Sequence, residues 1–282
     1  MTYGLPSEMP KLQLATRRLG LTLALLFATS WAQALVLAVN EGVTYRVSAD
    51  EIRARYAPIA TDLSKLLGQP VRVEPVGDYP VLRAGLAQKQ YDLALVHPAH
   101  ISIIAIKYSG YELVAVTKGF TEYSARFLVR ADSPLKSLAE LRGRKLGAPD
   151  EDSITSWMTR ATMRDALGQA NQVAYTYTRY QDAVPFMVEH TFTQAGATAS
   201  GAVIKQWQEA GGKVLAKSRP VPIKHIIASP AVTAEQVQLL RDYFVSLDST
   251  EQGRKKLEPI KVKGYAAFDK AALMKLGDWL GL

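Results

Sequence analysis

Tyr91–His100 reads YDLALVHPAH. Tyr91, Leu93, Ala94, Leu95 and Val96 make an apolar run too short for an independent helix, preceded by the polar AQKQ of residues 87–90. Such a run reads as a strand of a parallel sheet buried on both faces. His97, Pro98, Ala99 and His100 follow at once, and ISIIAIKYSG (101–110) then has helix length. Polar residues leaving the carboxyl end of a buried strand, just before a helix, stand where open α/β sheets bind ligands. Free N–H groups at the helix start favour an acceptor there. This turn is therefore predicted to be one wall of a small-molecule site.

Working outward, Leu35–Val39 (LVLAV) reads as a strand and Asn40–Tyr45 as a polar turn. Ser48-Ala-Asp-Glu51 has the capping-box pattern. Ile52, Tyr56, Ile59, Leu63 and Leu66 recur on one helix face. Pro58 predicts a kink there or two consecutive pieces, and Gly68 a stop. Val71–Val76 is a second strand ending in Gly77-Asp78-Tyr79-Pro80, a short helix runs through Gln88, and Glu112–Thr117 is a fourth strand. Strands alternating with helices predict a parallel sheet covered on both faces. Parallel strands bring their carboxyl ends to one edge, so the turns holding Thr44-Tyr45, Asp78-Tyr79 and His97-Pro98-Ala99-His100 converge.

At the front, Lys11, Arg17 and Arg18 precede the apolar LGLTLALLFA (19–28), and Ala32-Gln33-Ala34 follows. A positive start, a ten-residue apolar run and a small-x-small site read as a secretory signal peptide, residues 1–34. The run is short for a membrane span. Cleavage after Ala34 would leave 248 of the 282 residues, exported and soluble. With no cysteine in the chain, disulfides and a lipid anchor on cysteine are excluded, and a bacterial periplasm suits it best. The net charge is +8, but its basic clusters are short and separated by acids, unlike the basic stripe of a nucleic-acid binder.

The opening strand with NEGVTY, the helix ending LSKLLGQPV, GDYPVLRAGLAQKQYDLALVHPAH and SARFLVRADSPLKSLAELRGRKLG together resemble the phosphate/phosphite/phosphonate (PhnD-like) periplasmic substrate-binding proteins of ABC transporters. The resemblance implies a two-lobed α/β fold, the type 2 periplasmic-binding-protein fold, with a hinge of two crossing segments. Residues 35–124 would be the first part of lobe 1, residues 125–226 lobe 2, and residues 227–282 the return to lobe 1 with C-terminal helices. It also implies capture of a small oxyanion for an ABC permease by a monomer without a cofactor. A periplasmic sensing module that reports to a membrane sensor uses the same closed state and is the alternative.

Within lobe 2, Ala125–Arg130 is a strand and the first crossing, Ser137–Glu140 a second capping box, and Lys145–Ala148 a strand opening onto Pro149–Trp157. Family members carry there a Ser/Thr-rich loop that grips phosphonate oxygens; here Ser153, Ile154, Thr155 and Ser156 fill it, with Ile154 and Ser156 departing from the usual pattern. Helix capping is the competing role for Ser153 and Thr155. The acids Asp150, Glu151 and Asp152 suit a helix start but would repel a dianion, so they either point outward or meet a ligand bearing a positive group. Gln181 stands where relatives often have histidine, and Asp182 would receive an amino group if the ligand were an aminophosphonate. Val173–Thr178 is a strand, Ala195–Val203 a strand-to-turn passage carrying Thr198, Lys213–Lys217 a strand, and Pro222–Ile227 the return crossing. Runs 233–247 and 269–280 are amphipathic helices.

The predicted ligand set is Thr44, Tyr45, Tyr79, His97, Pro98, Tyr123, Ser153, Thr155, Ser156, Trp157, Gln181, Asp182 and Thr198. Tyrosine hydroxyls recognise oxyanions as neutral, fixed donors, though interface packing is as common a use, and Trp157 would shape or cover the pocket. His97 and His100 admit metal ligation, packing or a ligand hydrogen bond. Metal is disfavoured because only His190 and His225 remain to complete a site, and His97 is the better ligand contact because His100 lies further into the helix. Hydrolase, metalloprotease and P-loop signatures are missing, so no catalysis is expected.

Overall fold

The structure is a computed structural model describing residues 1–2, 34–42, 47–168 and 172–282. The expected signal peptide falls almost entirely outside the described residues, and the architecture here is that of the unit Ala34–Leu282.

Six elements build the start of the first sheet: β1 (Leu35–Val39), α1 (Ala49–Leu67), β2 (Val71–Pro75), α2 (Tyr79–Ala87), β3 (Leu93–Val96) and α3 (Ala99–Ser109), followed by β4 (Glu112–Thr117). Along β3 the alternation is visible in the packing. Ala94 and Val96 face a cluster with Leu82, Ile101 and Leu273, while Leu93 and Leu95 face one with Ile59, Leu63 and Leu240. Both faces are dry, as the unbroken apolar run requires. Each fully buried Leu or Ile contributes about 1.5–3 kcal/mol of transfer free energy.

Pro58 does not split α1, which runs unbroken from Ala49 to Leu67. Its side is exposed, so water reaches the carbonyl that its missing N–H leaves unpaired, while the apolar face continues past it. Only half of the first capping box forms. Ser48 Oγ accepts from Glu51 N at 3.1 Å, but the Glu51 carboxylate pairs with Arg55. The second gives a short 3-10 turn (Leu138–Leu141) because Glu140 Oε1 accepts from both Lys136 N and Ser137 Oγ, at 3.2 and 3.1 Å.

The second sheet collects β5 (Arg126–Val129), β6 (Lys145–Ala148), β7 (Ala174–Tyr177), β8 (Ala195–Thr198) and β9 (Lys213–Lys217), with α4 (Ile154–Leu167), α5 (Val184–Glu189) and α6 (Gly201–Glu209) between them. Helix α6 replaces the expected turn after Thr198, and Ser200 caps it by accepting from Val203 N at 3.4 Å. The chain then returns through β10 (His225–Ala228), α7 (Ala234–Ser246), α8 (Glu251–Leu257), β11 (Tyr265–Ala266) and α9 (Lys270–Leu280).

Among the described residues the sheet orders are β11-β4-β10-β3-β1-β2 and β7-β6-β8-β5-β9. The first is not wholly parallel. Strand β10, coming back from the second sheet, runs the opposite way and wedges between β3 and β4. The two crossings lie side by side: Ser218 N donates to Ala125 O at 2.9 Å, Val221 N to Tyr123 O at 2.8 Å and Ile223 N to Phe120 O at 3.1 Å. Among the described residues no helix is long and apolar enough to cross a membrane.

Candidate functional site

The carboxyl ends of β1 and β2 meet the segment after β6 around a concavity of about 540 Å³. Glu41, Gly42, Asp78 and Tyr79 line it from the first sheet, and Asp150, Asp152 and Arg179 from the second. That size is ordinary for a small-molecule pocket. Buried Asn40 ties the first two turns, donating from Nδ2 to Val76 O at 2.6 Å and accepting from Gly42 N at 3.1 Å. Gly42 has φ +96°, and a Cβ on it would sit 2.5 Å from His97 Nδ1. Only glycine satisfies both demands. Gly42→Ala is therefore expected to cost about 1–3 kcal/mol, read as a lowered urea midpoint; an unchanged midpoint would refute the contact.

His97 is half-buried and its Nδ1 has no hydrogen-bond partner. Burial first, then the Lys224 and His100 charges, lower its pKa to about 3, so it is neutral at pH 7. His100 is the second residue of α3. Fully buried, it stacks on Trp157 of α4 with ring centres 5.7 Å apart and meets the Tyr79 ring edge-on at 6.5 Å. Its Nε2 stands 3.3 Å from Asp152 Oδ1. Burial also lowers the His100 pKa, with Asp152 opposing.

Of the three acids before α4, Glu151 is exposed, as an outward position requires, whereas Asp152 departs from both expectations. Asp152 reaches across to Arg83 of α2 and to His100. Partial burial alone would raise its pKa, but those two neighbours hold it well below the usual carboxylate range. Asp150 Oδ1 accepts from Asp152 N at 2.9 Å, and Glu151 is exposed while its carbonyl holds Arg160, whose guanidinium lies 4.6 Å from the Trp157 ring centre.

A polar cluster forms beside the crossings. Tyr123 Oη is 3.3 Å from buried Thr155 Oγ1 and accepts from Gln181 Nε2 at 3.0 Å. Gln181 Oε1 in turn accepts from Thr198 Oγ1 at 3.0 Å and Ala199 N at 2.6 Å. Tyr123, Thr155, Gln181 and Thr198 are thus brought together. Ser153 caps α4, accepting from Ser156 N at 3.2 Å, and Ser156 Oγ donates to Pro149 O at 3.0 Å, so both hydroxyls serve the loop itself. Pro98 is the buried N-cap residue of α3. Trp157 Nε1, a donor only, is buried without a partner. Asp182 is not in this group: it is exposed and lines a separate concavity of about 590 Å³ with Arg130, Glu189 and Trp207. Thr44 and Tyr45 lie outside the described residues.

Sequence reasoning ranked His100 below His97, offered Asp152 only a helix-start role, an outward position or a positively charged ligand group, and passed over Arg83 and Lys224. The last is half-buried at the start of β10, whose next residue His225 pairs with Val96 beside His97; its ammonium sits 4.0 Å from the Phe120 ring centre. Burial lowers its pKa, with Glu41 opposing. The lysine in PIKHII, placed in a return crossing, was the available signal.

Residues 42–273 match the family described as "ABC transporter, phosphonate, periplasmic substrate-binding protein". Among solved structures, XAC2383 from Xanthomonas citri bound to ATP superposes with TM-score 0.70 at 15% identity, covering 88% of this chain and 97% of that one. PhnD1 from Prochlorococcus marinus (MIT 9301) in complex with methylphosphonate gives 0.60 at 16%, covering 86% and 96%. The periplasmic aliphatic sulphonate binding protein SsuA from Escherichia coli gives 0.55 at 14%, covering 87% and 90%. At such identities these likenesses attest the fold, the two-lobed type 2 periplasmic-binding architecture. No curated protein matches the sequence. With four-fifths of its length inside the family match, the chain belongs to the phosphonate-type periplasmic substrate-binding proteins of ABC transporters.

Proposed function

We propose that this protein captures a small oxyanion of the phosphonate, phosphite or phosphate class between two hinged lobes and hands it, without chemical change, to an ABC permease. Residues 35–124 and 227–282 form one lobe, 125–226 the other, and the paired crossings the hinge. The observation that carries this reading is a cleft to which strands of both sheets bring their carboxyl ends. Neutral donors stand beside the crossings, in Tyr123 and Thr155, and at the start of α4, in the buried, partnerless N–H of Trp157. Buried donors want acceptors, which an oxyanion supplies, and Lys224 brings a positive charge to the same edge. Tyr79, His97 and, in the first turn, Thr44 and Tyr45 complete the wall. Ser153 and Ser156 act by shaping the loop, and the exported chain works in the periplasm after losing residues 1–34.

Closure follows from differential affinity: a ligand touching both lobes binds the closed form better and shifts the population toward it. A thermal-shift series with phosphate, phosphite, methylphosphonate, sulfate and methanesulfonate tests the ligand class. A binder at a hundred times its Kd should add about 2.7 kcal/mol, and Lys224→Met should abolish the shift. If none of these anions moves the melting temperature, the oxyanion reading fails.

A further inference from the structure

The hydrogen bonds around Gln181 have a direction that can be read without placing a single hydrogen by assumption. Backbone N–H groups only donate, and two of them end the chain of contacts. Ala199 N lies 2.6 Å from one terminal atom of the Gln181 amide, so that atom is the oxygen. Ser200 N donates to Thr198 Oγ1 at 3.2 Å, and the Thr198 proton goes to the same Gln181 oxygen at 3.0 Å. The remaining amide atom is therefore the nitrogen, and it donates to Tyr123 Oη at 3.0 Å. An amide orientation is normally a matter of choice; here the two main-chain donors decide it.

Proton counting gives the consequence. Tyr123 and Thr155 own two hydroxyl protons and share one contact, at 3.3 Å. Since Tyr123 Oη is already an acceptor toward Gln181, one proton serves the Tyr123–Thr155 contact and the other is left over for a ligand. Turn the amide around and the Tyr123 proton would go to Gln181, the Thr155 proton to Tyr123, and none would remain. We infer that Gln181 is a positioning residue: it sets the direction of this chain so that Tyr123 and Thr155 present a proton to the ligand and select an unprotonated oxygen at this end of the cleft. The inference rests on the oxyanion reading above and adds which residue makes the hinge end acceptor-specific.

The test uses the mature protein, with inorganic phosphate and methylphosphonate as probes in calorimetric titrations. Gln181→Glu nearly preserves shape but can only accept, so it draws the Tyr123 proton to itself. Its Kd should rise roughly ten- to hundredfold, as for a lost hydrogen bond to a charged group. Gln181→Met neither donates nor accepts and should weaken binding less than Gln181→Glu, whereas a packing role ranks them the other way. In a Tyr123→Phe background the penalty of Gln181→Glu should shrink to about threefold or less, because the coupling runs through the phenol. An equal penalty in both backgrounds would mean simple charge repulsion and overturn the inference. A ligand-free measurement decides the case if neither probe binds. The side-chain NH₂ resonance that Gln181→Glu deletes should show an Overhauser contact to the Tyr123 ring. Contact to the Ala199 amide proton alone would reverse the amide and refute the inference, whatever the protein binds.

Discussion

Acidification from pH 7 to pH 5 is expected to cost the fold about 2 kcal/mol for each of His97 and His225, whose ordinary pKa is about 6.5. In the folded chain burial, then the Lys224 and His100 charges, lower His97 to about 3. Burial lowers His225 to about 4 against the pull of the Pro222 carbonyl. Because both folded values lie below the unfolded one, the unfolded chain binds more protons throughout this window, and stability rises with pH. The contribution is complete above about pH 6.5 and declines as pH falls toward the folded values. His100, also lowered by burial, adds in the same direction.

Asp152 has the same sign in a lower window. Its stabilisation is present above the unfolded carboxylate pKa, near 4, and is lost only as pH drops below that. Urea titrations at pH 7.5, 6 and 5 therefore isolate the histidines. His225 offers the cleanest single variant. Its ring spans two partners: Nε2 lies 3.0 Å from Pro222 O, and Nδ1 lies 2.5 Å from Ser102 Oγ, whose hydroxyl also reaches Ala99 O at 2.8 Å. Glutamine can span the same two partners without titrating, so His225→Gln should flatten its share of the slope. A stability that stays level from pH 7.5 to 5 in the parent protein would refute the neutral, buried state of these rings.

That these rings matter was only partly legible in the sequence. His97 stood out because it follows a run of five apolar residues that need both faces covered, and the strand Leu93–Val96 lies within that run. His225 was read as part of a crossing and as a disfavoured metal ligand, not as a buried ring. Its burial depends on β10 inserting antiparallel between β3 and β4, and strand order is a long-range property that local periodicity does not encode. The same limit explains Asp152. Three consecutive acids at a helix start are locally a dipole effect, and nothing within ten residues of them announces Arg83. Thr155, Gln181 and Thr198 were each legible as polar residues after a strand, yet their contact, and with it the direction of the proton chain, exists only once β6 and β8 are neighbours. Elements were readable where one period held for several residues; Pro58 misled because its exposure was decided by tertiary packing.

Trp279→Ala should be the most damaging single change outside the cleft, costing about 3–5 kcal/mol. Helix α9 belongs by sequence to the return segment, but it is fastened on both sides. Toward α3, Lys107 Nζ donates to Asp278 Oδ1 at 2.7 Å and to Leu282 O at 2.6 Å, and a Cβ at Gly277 would lie 2.6 Å from Ile103 Cγ2. Toward α4, the Trp279 indole N–H donates to Asp165 Oδ2 at 2.9 Å, Arg164 donates to the Trp279 carbonyl, and Arg219 stands 5.4 Å from the ring centre while pairing with Asp165 at 3.0 Å. Trp279, 8% exposed, shares one apolar cluster with Ile154, Met158 and Ala161 of α4. Truncating it empties the seam that joins a helix of the second sheet to one of the first, and leaves Asp165 with the exposed Arg219 as its partner. Trp279→Phe keeps most of the ring and loses only the indole hydrogen bond, so about 1 kcal/mol is expected. If α9 limits how far the lobes part, the alanine variant should also show a larger radius of gyration by X-ray scattering without ligand, and the phenylalanine variant should not. A melting temperature in Trp279→Ala within a degree of the parent would show that α9 is not part of the fastening at all, and the hinge would then be the two crossings alone.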